Sequence, residues 1–310
     1  MSFRRLVLAT AAATFVLIIV GGVVRVSDSG LGCGPGGSGL HGWPFCKGNV
    51  VPGVDLNSVI EYTHRALAGA VSIMILALVV LAWRRHRELF GVTLALLILI
   101  LAQAGLGGAT VEDNLKPGYV AAHLGLAMLL LGGLLYLWRA TLRTGPISGG
   151  PHLRTIAIAA CVAVFCTIVA GGYMAGTQKY GRPDYQLGDG AHHACGTQFP
   201  GCNGGFMPFG ESRLVNIHLT HRAFMYLASI LVTTLAVIAL RRRVAVPYAL
   251  GLIGLLCAQI LVGALNVWIS KEYEWLIALH LALGTLLWAT TLGMTLQLVP
   301  AGRRVGAAVA

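Results

Sequence analysis

Four histidines lie at similar depths inside four apolar segments of the chain. They are His64, His123, His221 and His280. Each lies roughly two helical turns, or about 10 Å at 1.5 Å per residue, beyond the start of its segment. An ionisable side chain is costly inside a bilayer, so each of them predicts a functional site. One such histidine alone is equally compatible with a polar bridge between helices, but four at one depth favour ligands of a bound group.

The arrangement of these histidines in two similar pairs predicts two haems. Imidazole is an ordinary axial ligand of haem iron, and two facing helices of a bundle can present imidazoles to one iron from opposite sides. The sequence therefore pairs His64 with His123 and His221 with His280. Zinc also accepts histidine but prefers about four ligands around one ion, so two separate pairs favour haem.

The residues that precede two of these ligands by three positions differ between the halves. Glu61 precedes His64, and His218 precedes His221; residues three apart share a helix face. A carboxylate beside a bound substrate can accept a proton, orient the substrate or stabilise positive charge. The alternative for Glu61 is a position at the helix start that the helix dipole favours. The difference predicts that one site performs chemistry while the other stores or relays an electron.

Arg65 and Arg222 directly follow two of the ligand histidines. A guanidinium group can bind haem propionates through charge-assisted hydrogen bonds, so both are candidate cofactor-binding residues. Successive residues point about 100° apart around a helix, however. A polar partner between helices, or the outer membrane interface, is therefore an equally compatible destination.

The elements that must position these residues are membrane spans. The chain has 310 residues, of which 56% are hydrophobic and only 11% charged, and its mean hydropathy is +0.77. Such values indicate an all-α polytopic membrane protein. Eight apolar runs exceed the length of about 20 residues that a crossing requires. They begin near Leu6, Ser58, Leu89, Tyr119, Thr155, Leu214, Ala245 and Tyr273. The first run is too long for a signal peptide, so we expect an uncleaved helix.

The net charge of +11 follows the membrane topology. Basic residues cluster at alternate helix ends, which is the positive-inside pattern. The clusters are Arg4, Arg5, Arg84, Arg85, Arg87, Arg139, Arg143, Arg154, Arg241, Arg242, Arg243, Arg303 and Arg304. Both termini are therefore expected in the cytoplasm, and the four histidines near the outer leaflet of the plasma membrane. Because the basic residues follow the topology, we expect no nucleic acid as a partner.

The two halves of the chain repeat each other. The matched residues of the second, third and fourth spans are His64 with His221, Gln103 with Gln259, Gly107 with Gly263, and His123 with His280, at offsets of 156 or 157. In the first span of each half, Gly21 and Gly171 match at an offset of 150. A duplication is the simplest explanation. The Gly-rich patches around Gly21, Gly107 and Gly171 predict close approach of helices or of a flat macrocycle, and plain helix packing explains them equally well.

Each repeat is a predicted four-helix unit. Because each contains an even number of spans, both enter the membrane from the same side and are parallel. The expected fold is two tandem four-helix bundles, residues 1–148 and residues 149–310, each with one of the two predicted haem sites. The turn-rich segment 144–151 connects them.

Two cysteines lie in the first outer loop of each half. A pair per loop on the oxidising side of the membrane predicts the disulfides Cys33–Cys46 and Cys195–Cys202. Their main expected role is to brace the loops over the haem sites, with a redox role for Cys33–Cys46 as the alternative. The other three cysteines lie within spans and predict apolar packing: Cys161, Cys166 and Cys257.

Together these features resemble the haem A synthase family. The resemblance rests on the string Glu61-x-x-His64-Arg65, the other paired histidines, and the loop from Ser29-Gly-Leu-Gly-Cys33 to Trp43-Pro-Phe-Cys46. It covers essentially the whole chain. It implies an enzyme that oxidises a ring methyl group of haem O to a formyl group, by two successive hydroxylations, and so makes haem A for cytochrome oxidase.

The resemblance also implies different roles for the two halves. His64 and His123 would hold haem O with Glu61 near the reacting methyl group, and His221 and His280 would hold haem b as an electron relay. The implied partners are membrane lipid, a haem O synthase that delivers the substrate, and an electron donor. Assembly into a homo-oligomer is a further alternative that the resemblance leaves open. The stretch between Cys33 and Cys46 is longer than the family pattern, so a redox role does not carry over directly, and His41 within it has no assigned role.

Two other functions account for part of the pattern. A dihaem b-type cytochrome that passes electrons between quinol and a partner explains the four histidines, but not Glu61 in one half only. A transporter that uses the histidines as a proton or metal relay would bind no haem. The sequence lacks the interrupted spans and central acidic residues that would favour it.

Overall fold

Eight long α-helices make up most of the part of the chain that the structure describes. The computed structural model describes residues 2–142, 145, 147–179, 190–269 and 274–299. Its helices are α1 (Phe3–Val26), α2 (Leu56–Arg85), α3 (Phe90–Glu112), α4 (Pro117–Thr141), α5 (Gly150–Thr177), α6 (Arg213–Arg241), α7 (Val246–Trp268) and α8 (Glu274–Leu298). All eight are long and apolar enough to cross a membrane. The prediction of an all-α protein with eight spans is confirmed.

The helices begin where the sequence supplies caps or proline. Asp55 accepts a hydrogen bond from the Ser58 N–H at 3.0 Å at the start of α2, and Ser212 accepts one from the Val215 N–H at 3.2 Å at the start of α6. Such caps satisfy amide groups that have no partner within the helix. Proline occupies the first turn of α4, α5 and α7, where no amide hydrogen is needed. Helix α5 therefore begins inside the connection predicted at residues 144–151.

Some predicted features lie outside the described residues. They are Arg143, Arg303, Arg304, the apolar-run start at Tyr273, and part of the connection at residues 144–151.

The helices pack in two rings of four. In the first half α1 contacts α2, α2 contacts α3, α3 contacts α4, and α4 returns to α1; α5 to α8 follow the same order. Between the halves, α4 contacts α5 and α1 contacts α8. One contiguous apolar cluster takes buried side chains from all eight helices. These contacts fit two tandem bundles, and the boundary between residues 148 and 149 stays a prediction.

A disulfide-linked loop follows the first helix of each half. Cys33 is bonded to Cys46 and Cys195 to Cys202, as the sequence predicted. The second cysteine of each pair starts a small turn closed by a β-bridge, Cys46 with Asn49 and Cys202 with Gly205. The sequence separation within the pairs is 13 and 7 residues. The extra residues of the first loop include a short 3-10 segment, Gly39–His41.

The cysteines within the helices are not bonded to each other. Cys161 packs against the apolar core, as predicted. Cys166 is half-buried in the same helix, whereas Cys257 lies exposed on the surface of α7.

Candidate functional site

A cavity of about 740 Å³ lies among the helices and is lined by all four predicted ligand histidines. Cavities of this size hold small molecules and cofactors. Glu61 also lines it. The sequence placed these residues at one depth, and the tertiary structure brings them around one space. The two imidazoles of each half are near enough to interact electrostatically, His64 with His123 and His221 with His280.

Each imidazole lies against a glycine of the helix that precedes its own. The distance from a Cβ atom built on the glycine to the ring carbon Cε1 is 2.9 Å for Gly21 and His64, 3.1 Å for Gly107 and His123, 3.0 Å for Gly171 and His221, and 2.9 Å for Gly263 and His280. The sequence predicted close approach at several of these glycines. The structure identifies what approaches them, which is the ligand ring itself.

The imidazoles of the second half make hydrogen bonds through their ring nitrogens. Nδ1 of His221 donates to the Thr167 carbonyl at 3.0 Å, which fixes the tautomer that leaves the Nε2 lone pair available to a metal. Nε2 of His280 accepts from the Gln259 amide at 3.2 Å. The lone pair of that ring is therefore also presented on Nε2.

The four imidazoles differ in the hydrogen bonding of their Nδ1 atoms. Within the described part of the chain, Nδ1 of His64, of His123 and of His280 has no hydrogen-bond partner, whereas Nδ1 of His221 is bonded to Thr167. The carbonyl of Leu17, which matches Thr167 at the offset of 150, lies toward the His64 ring without the geometry of a full hydrogen bond. The matching histidines thus share a position but differ in support.

Two glutamines of the cavity wall were not recognised as site residues from the sequence. Gln103 donates to the backbone carbonyl of His123 at 2.9 Å, whereas its repeat partner Gln259 reaches the His280 ring. Both line the cavity. The signal was present, because an amide at the same repeat position of two apolar spans is a costly polar group. It was used only as a landmark of the duplication.

Glu61 and His218 both attach an outer loop to the helix below it. Each is 3% exposed. Oε2 of Glu61 accepts a hydrogen bond from the Cys33 N–H at 2.7 Å, and Oε1 pairs with Arg65. Nδ1 of His218 donates to the Ala191 carbonyl at 2.7 Å. The predicted difference between the halves is therefore also a difference in how each loop is fastened.

Arg65 and Arg222 hold the carbonyl groups just before the second cysteine of each loop. Nη1 of Arg65 donates to Gly42 at 2.7 Å and to Phe45 at 2.9 Å. Nη1 of Arg222 donates to Gly201 at 2.6 Å, and its Nη2 donates to Gln198 at 2.8 Å. From the sequence, a haem propionate, a polar partner between helices or the outer membrane interface were possible partners of these arginines. In the structure both arginines bind polar backbone carbonyls of the outer loops. Their binding to haem propionates stays a prediction.

Arg25 is a further buried residue of the cavity that the sequence reasoning missed. It lies in the last turn of α1, is 9% exposed and lines the cavity. Its Nη2 donates to the carbonyls of Ala175 and Gln178 at the end of α5, where helical carbonyls lack partners. The available signal was a single arginine at the outer end of an apolar span.

The donor set fits haem. Among the described residues, no group of three or more His, Cys, Asp or Glu side chains is placed to hold a metal ion, which leaves paired imidazoles as the available ligands. His221 has the second nitrogen bonded to a carbonyl, as metal-bound histidines usually do. The imidazole rings border a largely apolar cavity. Two axial ligands and an apolar pocket are what a haem requires of a protein.

Known proteins similar to the chain are enzymes of haem A formation. Residues 4–292 match the family model described as cytochrome oxidase assembly protein. The heme A synthase of Halalkalibacterium halodurans is 29% identical over 245 residues, 75% of this chain and 74% of that protein. That of Symbiobacterium thermophilum is 28% identical over 249 residues, 76% and 74% of the two chains.

A shorter match has higher identity. The heme A synthase of Bacillus licheniformis is 32% identical over 134 residues, and the alignment spans 42% of each protein. The family model, in contrast, covers nearly the whole chain, including all four histidines and both disulfide loops. The chain belongs to the haem A synthase family of cytochrome oxidase assembly proteins.

Proposed function

We propose that this protein converts haem O to haem A by oxidising a ring methyl group to a formyl group, through two successive hydroxylations. The observation that carries the proposal is a cavity lined by two matching histidine pairs, of which only the second contains an imidazole whose Nδ1 is bonded to a carbonyl. Two histidine pairs can hold one substrate haem and one resident haem. The names of the related proteins point to the same product.

The second half is the proposed site of the resident haem b. His221 and His280 each make a ring hydrogen bond, to Thr167 and Gln259. The bond from Nδ1 of His221 orients a metal ligand and raises its basicity, which suits a cofactor that stays bound; Nδ1 of His280 has no partner among the described residues. Because Gln259 donates to Nε2 of His280, binding of iron at that nitrogen would displace the amide. Bound there, haem b would supply electron transfer.

The first half is the proposed site of haem O. Nδ1 of His64 and Nδ1 of His123 have no partner among the described residues. Ligands without such support hold a haem less firmly, which suits a substrate that must leave as product. Glu61 is present only in this half and lies on the same cavity.

Glu61 is proposed to orient the substrate and to stabilise positive charge that develops near the reacting methyl group. Both of its oxygens are engaged, by Arg65 and by the Cys33 N–H. These two contacts hold the carboxylate in one orientation at the cavity wall. The same contacts hold the first outer loop over the cavity, and a closed loop limits the access of water to the site.

The proposed location is the plasma membrane, with both termini in the cytoplasm and the haem sites near the outer leaflet. The disulfide loops follow α1 and α5 and precede α2 and α6. His64 and His221 lie within a few helical turns of the starts of α2 and α6, and therefore near the same end of the bundle as the loops. Disulfides persist on the oxidising side of a membrane, and the arginine clusters lie at the opposite helix ends. A haem O synthase and an electron donor are the proposed partners.

The proposal is tested by the haems that the protein makes. It is expressed in a host that produces haem O but no haem A, and the extracted haems are separated by chromatography. Haem A or hydroxylated haem O is the expected result, absent from cells with the empty vector. Haem b alone, with haem O present in the same extract, would overturn the proposal in favour of a dihaem b-type cytochrome.

A further inference from the structure

The contact between imidazole and glycine recurs four times in one form. In every case an odd-numbered helix supplies the glycine and the next helix supplies the histidine. The pairs are Gly21 with His64, Gly107 with His123, Gly171 with His221, and Gly263 with His280. Four repeats of one contact, at all four predicted ligands, indicate a requirement of the ligand site rather than of one helix crossing.

A side chain at these glycines would collide with the imidazole. The nearest ring carbon would lie 2.9–3.1 Å from the added Cβ atom, whereas carbon atoms in contact prefer about 3.5–4.0 Å. An imidazole is rigid and is attached close to its own helix, so it cannot bend away as the end of a long side chain can. The whole ring must tilt or shift, and its nitrogens move with it.

The contact at Gly171 also explains the hydrogen bond of His221. Thr167 lies four residues before Gly171, so its carbonyl is the one that the glycine N–H bonds within the helix. Nδ1 of His221 shares this carbonyl at 3.0 Å. A Cβ atom on Gly171 would lie 3.2 Å from that nitrogen. Glycine therefore exposes a backbone carbonyl that a larger residue would cover.

Two other glycines of the same helices have no close neighbour and serve for comparison. Gly105 precedes Gly107 by two residues in α3, and Gly254 precedes Gly263 in α7; a Cβ atom on either would meet nothing within 4 Å. Glycine inside a helix costs about 1 kcal/mol relative to alanine. The general packing role of glycine in membrane helices therefore does not account for the contacts of Gly107 and Gly263 with ligand rings.

We infer that Gly21, Gly107, Gly171 and Gly263 are positioning residues that set the orientation of the four haem-ligating imidazoles. The inference rests on the proposed function, in which these histidines hold haem. Each glycine acts through the ring beside it and touches no reacting atom. Alanine at one position should therefore weaken or reorient ligation at that site and spare the other half.

The test compares Gly263→Ala with Gly254→Ala in α7, and Gly107→Ala with Gly105→Ala in α3. Haem b content per protein, its reduction potential and the electron paramagnetic resonance signal of the oxidised haem are measured on the purified full-length protein. Gly263→Ala should lower haem b affinity about 10-fold, the scale of lost support around a metal ligand, and shift the signal of any haem retained. Gly254→Ala should match the wild type in all three.

The first-half pair is a second, independent measurement. Gly107→Ala should weaken the binding of added haem O about 10-fold while the haem b content stays full, which also shows that the variant is folded. Gly105→Ala should bind haem O as the wild type does. The inference would be overturned, and the proposed function kept, by two normal results together. These are wild-type haem b content, reduction potential and resonance signal in Gly263→Ala, and wild-type haem O binding in Gly107→Ala. A wild-type protein that binds no haem would overturn the proposed function, and the inference with it.

Discussion

At the scale of single residues, Glu61 combines a proposed chemical role with an observed structural one. Its carboxylate is buried and shared between Arg65 and the Cys33 N–H. A charge removed from water is tolerable only when it is paired and hydrogen-bonded. The residue that is proposed to face the substrate is thus also the residue that fastens the first loop.

Replacement of Glu61 by glutamine separates the two roles. Glutamine keeps an oxygen for the Cys33 N–H but offers Arg65 no charge, so we expect product formation to fall about 100-fold or more while haem b stays bound. Product is measured by chromatography of extracted haems and haem b by its optical spectrum. The control is Glu88→Gln, because Glu88 is exposed at the opposite end of α2. Unchanged turnover in Glu61→Gln would remove the catalytic role.

At the scale of elements, the outer loops depend on both a disulfide and an arginine. Arg222 spans two loop carbonyls, those of Gly201 and Gln198, and its guanidinium lies 5.4 Å from the Phe199 ring centre. The planar fork of arginine can bond both carbonyls at once, which the ammonium of lysine does less well. The Cys195–Cys202 bond and this guanidinium therefore both hold residues 198–202 of the loop.

Arg222→Lys tests the second of these points. Hydrogen bonds to charged groups contribute about 1.5–3 kcal/mol each, so we expect faster amide exchange across residues 198–205 and a lower unfolding temperature in detergent. The disulfide should remain intact by mass spectrometry after free thiols are blocked. Arg213→Lys is the control, since Arg213 is exposed at the start of the same helix. Equal exchange in the two variants would show that the Arg222 guanidinium does not hold the loop.

The start of α2, which carries Glu61 and His64, has a pH-dependent cap. The hydrogen bond from Lys47, followed by those from Ser58, lowers the pKa of Asp55 from 3.8 to about 2. Since the pKa is depressed in the folded state, the ionised carboxylate stabilises the helix above about pH 4, and this contribution is lost as the pH falls from 4 to 2.

Asp55→Asn should therefore be less stable than the wild type above pH 4, and the difference should shrink toward zero near pH 2. Asparagine remains a good helix cap, so the variant isolates the charge. Thermal unfolding followed by circular dichroism across this range is the measurement. A difference that stays constant with pH would show that the Asp55 charge does not contribute.

At the scale of the whole molecule, the two halves are equivalent in plan and unequal in detail. They share a core drawn from all eight helices. Arg25 of α1 ties the outer end of the first half to the end of α5 in the second. Its repeat equivalent is Ala175, whose carbonyl accepts one of these hydrogen bonds. A symmetric duplication has thus acquired a polar contact that only one half can supply.

Single ligand replacements should separate the halves. His280→Ala should remove most haem b, whereas His123→Ala should stop turnover and leave the haem b content near that of the wild type. The physical reason is that each half closes its own ring of four helices. Haem b is quantified by its optical spectrum and product by chromatography. Full haem b in His280→Ala would show that the ligand assignment is wrong.

The sequence by itself determined the spans, the repeat and the depth of the ligands. Run length and hydropathy decide whether a segment crosses a membrane. A rise of about 1.5 Å per residue converts position in the run into depth. Two cysteines in each outer loop left the pairing nearly unambiguous, and the structure contains both predicted bonds.

Only the tertiary structure decided which groups meet. Side-chain contacts depend on the rotation of each helix about its axis and on the fold of the loops. Examples are the loop carbonyls bound by Arg65 and Arg222, the hydrogen bond between Glu61 and the Cys33 N–H, and the contact of Gly263 with His280. Neither quantity is encoded in hydrophobic length or depth, because nearly every face of these helices is apolar. Gln103 and Gln259 occupy the same repeat position, yet one contacts a backbone carbonyl and the other an imidazole. Such differences arise from side-chain packing within each half, which the repeat pattern does not specify.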